Sequence, residues 1–181
     1  MLNTNYPDIE NKTFPNLELS LVEPTIKFNL RGKNRDFFAK VGKIISIMLP
    51  TEANTSASIK NISALWLSPD EWLIYGNDID TNLETSLSNE ISKLNIGSVT
   101  NVSDQWVLIN MKGENVFEIL SKGSPYNFNN FKNNKNVVVQ TLLNHVDVIL
   151  HHKDVNEVNL FVRKSFSEHL WLWINDSSSF L

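Results

Sequence analysis

The stretch Ala64-Leu65-Trp66-Leu67-Ser68-Pro69-Asp70-Glu71-Trp72-Leu73-Ile74-Tyr75-Gly76 decides the fold class. It reads as two apolar strands around a turn. Pro69 presets φ for the second turn position, and Ser68 and Asp70 are turn formers. Nearly every residue from Ala64 to Leu67 and from Trp72 to Tyr75 is apolar, without polar alternation. A strand pair of that kind is covered on both faces. In so short a chain, one cover is expected to be a partner protein.

Outward from the hairpin, bulk properties narrow the class. With 181 residues, the chain has the size of one domain or two closely packed halves. Net charge is -4, and Lys and Arg are scattered, so no basic footprint for nucleic acid is expected. The chain has no Cys, which excludes disulfides, thiolate catalysis and Cys-ligated zinc or iron–sulfur sites. Met1 to Pro24 has no signal-peptide pattern, and no apolar run reaches the roughly 18 residues of a membrane span. A soluble cytoplasmic protein is expected, with neither nucleic acid nor membrane as partner.

Residues 1–24 read as an extended arm. Ile26 to Leu30 alternates as a half-buried strand, and Asn34 caps a helix that turns Phe37, Phe38, Val41 and Ile45 to one face. Thr51 to Asn61 reads as a polar loop before the hairpin. Thr81 and Glu84 fit a capping box ahead of a stripe of Leu83, Leu87, Ile91 and Leu94, closed by Gly97. Strands are expected at 98–102 and 106–111, then a short helix with Val116, Phe117 and Leu120 inward, then an Asn-rich loop at 126–136. Three strands in a meander follow at 137–143, 146–150 and 158–163, with Asn144 and Lys153-Asp154 at the turns. A last helix is expected from Phe166 to Ile174, with Ser165 and Glu168 as its capping box, then a frayed tail at 176–181.

One echo organises the rest. Ile26-Lys27-Phe28-Asn29-Leu30-Arg31-Gly32 aligns with Val107-Leu108-Ile109-Asn110-Met111-Lys112-Gly113, and each precedes a helix carrying a Phe. The expected fold is therefore α+β, with antiparallel-rich sheets carrying helices on one face. The expected organisation is a single compact domain at 25–175 built of two related halves, about 25–100 and 101–175.

The search for chemistry returns little. His151 and His152 are adjacent on a strand and point to opposite faces, so they do not share a metal. His145 and Asp147 share a face, where an exposed polar surface is the simpler reading, as it is for His169. No nucleophile elbow, phosphate loop, dinucleotide turn or zinc-protease pair occurs. Asp70, Glu71 and Asp104 lie where binding groups often lie, and turn chemistry is their plainer reading. No catalytic, cofactor-binding or metal residue is assigned. The last helix shows Phe166, Leu170, Trp173 and Ile174 as one stripe, with Trp171 and Leu172 off it on opposite sides. With 5 Trp and 10 Phe in the chain, Trp66, Trp72, Trp171, Leu172 and Phe166 are candidate interface residues, against the alternative of a large aromatic core.

These pieces carry a family likeness. Asn29-Leu30-Arg31-Gly32, Leu49-Pro50 with Asn54-Thr55, the hairpin, Val102-Ser103-Asp104-Gln105-Trp106, Leu120 to Pro125, Gln140-Thr141-Leu142-Leu143 and Arg163-Lys164-Ser165-Phe166 through Trp171 occur in order. Over about residues 17–175 the chain resembles the gamma subunit of heterotetrameric sarcosine oxidase. Ser124 stands where that family often has Cys. The resemblance implies two ferredoxin-like halves similar to the folate-binding region of aminomethyltransferases. It also implies a non-catalytic subunit assembled with alpha, beta and delta subunits. FAD, FMN, NAD, zinc and tetrahydrofolate are then expected on those other subunits. The implied complex oxidatively demethylates sarcosine to glycine, giving hydrogen peroxide and formaldehyde or methylenetetrahydrofolate. A stand-alone folate-binding or aminomethyl-transfer protein of the same fold is the alternative.

Overall fold

The computed structural model describes residues 10–22, 25–77 and 81–181. The chain divides into two compact units: Thr25–Ser103, and a second assembled from both chain ends, Met1–Pro24 with Asp104–Leu181.

The central unit begins with β3 (Ile26–Gly32), numbered after two N-terminal strands, β1 (Lys12–Phe14) and β2 (Leu17–Leu21). Helix α1 (Arg35–Ile45) follows, capped as expected by Asn34, whose side chain accepts from the Phe37 N–H at 2.7 Å. Phe37, Val41 and Ile45 face the core, and Ser46 ends the helix in the left-handed region. The expected polar loop instead contains β4 (Ser56–Ile59), paired antiparallel with β5 (Ile62–Ser68) across a turn in which Lys60 has φ 50°. The hairpin partner is β6 (Glu71–Gly76), with Trp66 opposite Trp72 and a register shift between Trp66 and Ser68. The Ser68 hydroxyl donates to Asp70 at 2.9 Å across the Pro69 turn.

Helix α2 (Thr81–Leu87) runs into a π-helical turn, Ser88–Ser92, and then β7 (Gly97–Asn101). The Thr81–Glu84 capping box rests on a side chain outside the described residues. The π turn explains one departure. Leu87 and Ile91 are buried as expected, but Lys93 bonds five residues back to Ser88, which rotates Leu94 out to solvent. Ile96 packs on the core in its place.

The sheet order is β4-β5-β6-β3-β7, all antiparallel, with α1, α2 and the π turn packed on one face. Gly32 and Gly97 pair across the β3–β7 edge beneath the Phe37 ring. A Cβ on either would collide with that ring, so the close approach demands glycine at both. Leu65, Leu73 and Tyr75, on the sheet face away from α1, are buried as well. Both faces of the hairpin therefore carry buried residues.

The terminal unit repeats this plan. β8 (Trp106–Lys112) leads into α3 (Val116–Gly123), and then the expected Asn-rich loop forms one short helix, α4 (Phe128–Phe131), with both Phe buried. β9 (Val138–Leu143) and β10 (Val146–Asp154) join through Asn144-His145, both at positive φ as a two-residue hairpin turn requires. β11 (Glu157–Arg163) follows a turn at Val155-Asn156, two residues beyond the expected one, because β10 continues through a bulge to Asp154. A 3-10 turn at Lys164–Phe166 precedes α5 (Ser167–Ser178). No side chain caps α5, so the expected Ser165–Glu168 capping box is absent. The helix also continues through part of the expected tail, and the Ser178 hydroxyl donates to the Ile174 carbonyl at 2.6 Å.

The sheet order here is β1-β2-β8-β11-β10-β9. Superposing roles, β9-β10-β11-β8 matches β4-β5-β6-β3. The place of β7 is taken by β2, which comes from the N-terminus. Leu17–Leu21 of the segment expected as a loose arm are thus the strand that completes the C-terminal half, while residues 1–9 and 23–24 of that arm lie outside the described residues. Leu17 and Leu19 enter its core, and Val22 N–H donates to the Leu108 carbonyl at 3.0 Å. Gly113 adopts φ +133° where the Asn16 carbonyl of the β1–β2 turn crowds its α-carbon, another position closed to any Cβ.

Candidate functional site

The repeated plan extends to side chains. In β3, Arg31 lies opposite Glu71, and the Asn29 amide two residues earlier donates to the Glu71 carboxylate at 2.6 Å. In β8, Lys112 lies opposite Glu157, and the Asn110 amide two residues earlier donates to the Glu157 carboxylate at 3.0 Å. Each carboxylate also meets a cation, Arg31 at 2.5 Å and Lys153 at 3.1 Å. Glu71 is thus a strand residue that ties β6 to β3, not a turn residue. The Arg31 side chain is 56% exposed, so its ion pair contributes about 1 kcal/mol or less. These groups fix strand register, and both carboxylate oxygens of Glu71 and Oε1 of Glu157 are already engaged.

His145 and Asp147 are exposed, and among the described residues no three His, Asp or Glu side chains group to hold a metal ion. His151 and His152 do point to opposite faces. His152 sits among Phe117 and Phe131, stacked on the latter at 5.2 Å, and its Nδ1 meets the Asn134 carbonyl at 2.7 Å. Because a carbonyl only accepts, Nδ1 carries the proton. His151 is 1% exposed, and its pKa is pushed down to about 3, first by burial and then by Lys153 and His152. A buried neutral His has a definite consequence for stability. The unfolded chain binds a proton below pH 6.5 and the folded chain does not until about pH 3, so stability is full above 6.5 and falls between those values. The expected slope is about 1.4 kcal/mol per pH unit from this group. Urea midpoints measured from pH 7 to pH 4 should decline less steeply in His151→Gln.

The five aromatic and aliphatic candidates separate into two sets. Trp72 is 1% exposed, in the core with Phe37 and Phe38. Trp66 packs against that same core and is partly buried. Trp171 is 5% exposed among Leu170, Ile174 and the α3 side chains. The Trp72 and Trp171 indoles are therefore buried in the isolated chain. Trp171→Ala is expected to cost about 3 kcal/mol of folding stability in the isolated chain, seen as a lower denaturant midpoint. Leu172 and Phe166 are exposed, at 62% and 50%. Phe166 leaves the expected stripe because it sits in the 3-10 turn rather than in α5. Met48, at 88%, and Ile59 are exposed apolar residues that the sequence reading passed over. Met48 lies between buried Ile47 and Leu49, and because all three are apolar the sequence carried no signal that it would be exposed.

Fold and surface together define an α+β protein of two ferredoxin-like halves, each an antiparallel sheet with helices on one face. The model of the sarcosine oxidase, gamma subunit family matches residues 31–180, spanning both halves, and the chain belongs to that family. It is 25% identical over 146 residues to sarcosine oxidase subunit gamma of Corynebacterium sp. (strain P-1), covering 78% of this chain and 70% of that one. Its fold is similar to a chain of heterotetrameric sarcosine oxidase from Corynebacterium sp. U-96 in complex with pyrrole 2-carboxylate. There the TM-score is 0.83 and identity 22%, over 90% of this chain and 84% of the other. It is also similar in fold to the glycine cleavage system aminomethyltransferase T of Bartonella henselae, with TM-score 0.63 and identity 10%, over 90% of this chain and 46% of that longer one. Among the described residues, no helix is long and apolar enough to cross a membrane.

Proposed function

We propose that this chain is the non-catalytic gamma subunit of a heterotetrameric sarcosine oxidase, acting with alpha, beta and delta subunits. The complex would oxidise the N-methyl group of sarcosine, yielding glycine, hydrogen peroxide and formaldehyde or methylenetetrahydrofolate. FAD, FMN, NAD, zinc and folate would be held by the other subunits, and this chain would support assembly in the cytoplasm. The observation that carries the reading is the family match across residues 31–180, which includes both halves. The carboxylates Glu71 and Glu157, engaged in register-fixing bonds, accord with a structural role.

Co-expression with candidate alpha, beta and delta subunits tests it. Co-purification at fixed stoichiometry, with loss of intact oxidase when this chain is omitted, is the expected result. A chain that stays monomeric beside all three would end the proposal. Tight tetrahydrofolate binding by the isolated chain would favour the stand-alone folate-binding reading instead.

A further inference from the structure

A groove runs along the outer face of α1 in the central unit. Arg35, Phe38, Ala39, Gly42 and Ser46 line one side at helical spacing, and Met48 lines the other, around a cavity of about 430 Å³. It adjoins a second cavity of about 380 Å³ at Ser46, lined by Ile44, Ile59, Ile62, Leu83 and Lys60. The floor is apolar, and no lining side chain is a carboxylate. Arg35 and Lys60, the charged members, form no ion pair among the described residues.

Gly42 is the informative residue. A glycine inside a helix costs about 1 kcal/mol relative to alanine. Nothing in this fold demands it. Its φ is not positive, and an added Cβ would meet only the Ile47 carbonyl, at an ordinary 3.5 Å. This contrasts with Gly32, Gly97 and Gly113, where a Cβ collides. A destabilising glycine without an internal reason, in a groove between Ala39 and Ser46, fits close approach by a backbone from outside. Small residues permit helix axes to approach to about 8 Å.

We infer that this groove receives an amphipathic helix of about three turns from another subunit of the oxidase, apolar on its inner face and acidic at both ends. The length follows from the 11 residues of α1, Arg35–Ile45, about 16 Å of helix. The carboxylates answer Arg35 and Lys60, which form no ion pair among the described residues. The inference rests on the subunit reading above.

The chain has no Cys, so Ser46→Cys supplies a unique thiol. Maleimide labelling should be fast in the isolated chain and at least tenfold slower in the purified complex. Gly42→Ala should raise the isolated chain's thermal midpoint by a few degrees while weakening its capture by the other subunits. Met48→Asp, at a solvent-exposed position, should leave the midpoint nearly unchanged and weaken capture about tenfold. Arg35→Glu with Lys60→Glu should weaken capture and flatten its salt dependence. A complex that assembles normally with Ser46→Cys still fully reactive overturns this inference and leaves the subunit proposal standing. Absence of assembly by the wild-type chain overturns both. Protection of the thiol in the isolated chain, with a dimeric mass, assigns the groove to a second copy and overturns the inference.

Discussion

Deletion of residues 1–22 is expected to unfold the terminal unit. The segment supplies β1 and β2, and β2 pairs with β8 from Glu18 opposite Lys112 to Leu21 opposite Ile109. Leu17 and Leu19, each 1% exposed, leave the core with it. Fully burying a leucine contributes about 1.5–3 kcal/mol, so the two remove roughly 3–6 kcal/mol. That approaches the whole stability of an ordinary domain, about 5–15 kcal/mol. The deletion also exposes the backbone edge of β8, whose Val107, Leu108, Ile109 and Met111 make it an aggregation template. Hydrogen exchange should show lost protection across β8, β10 and β11, together with a fall in soluble yield. Adding a peptide of residues 10–22 should restore protection in part. Leu19→Ala, at a cost of about 2–5 kcal/mol, gives the milder version. A truncated chain with unchanged protection would return the segment to the status of an arm.

Trp72→Ala is expected to cost about 4–6 kcal/mol in the central unit, combining a Trp-to-Ala cavity with an orphaned carbonyl. The indole lies 5.8 Å from Phe37 and 5.3 Å, edge-on, from Phe38. Its Nε1–H donates to the Pro50 carbonyl at 2.8 Å, which pins the segment after α1 to β6. For a chain of this size each kcal/mol moves the thermal midpoint by about 2–4 °C, so a drop of about 10 °C or more is expected. Trp72→Phe should recover most of the packing and lose only the hydrogen bond, about 1 kcal/mol. Normal stability in Trp72→Ala, accompanied by failed assembly, would support the interface reading of this residue.

Much of the fold was legible because its signals are local. The Asn34 cap, the Ser68-Pro69-Asp70 turn and the alternation of Ile26 to Leu30 each act within a few residues. The echo of Ile26–Gly32 in Val107–Gly113 correctly pointed to two halves, and the structure extends it to the Asn29–Glu71 and Asn110–Glu157 bonds. The misses came where a local pattern had two solutions. Leu17, Leu19 and Leu21 alternate like any half-buried strand, yet the partner that orders them lies about 90 residues away. Leu94 has helical spacing from Ile91, but one π turn rotates it outward. Trp66, Trp72, Trp171, Leu172 and Phe166 are equally apolar in composition, and burial alone separates core from surface among them. Gly42 looks like any other glycine until an added Cβ is tried against its surroundings.

The hairpin at Ala64 to Gly76 shows the division of labour. By itself the sequence determined that these residues form two strands around a Pro turn and that neither face tolerates water, since turn chemistry and apolar content are written in adjacent residues. Only the tertiary structure decided that Leu65, Leu73 and Tyr75 on the second face are buried too, that β2 completes the C-terminal half, and that an apolar groove lies along α1. Those outcomes depend on which distant strands share hydrogen bonds and which side chains remain uncovered. Periodicity along one segment carries no record of either.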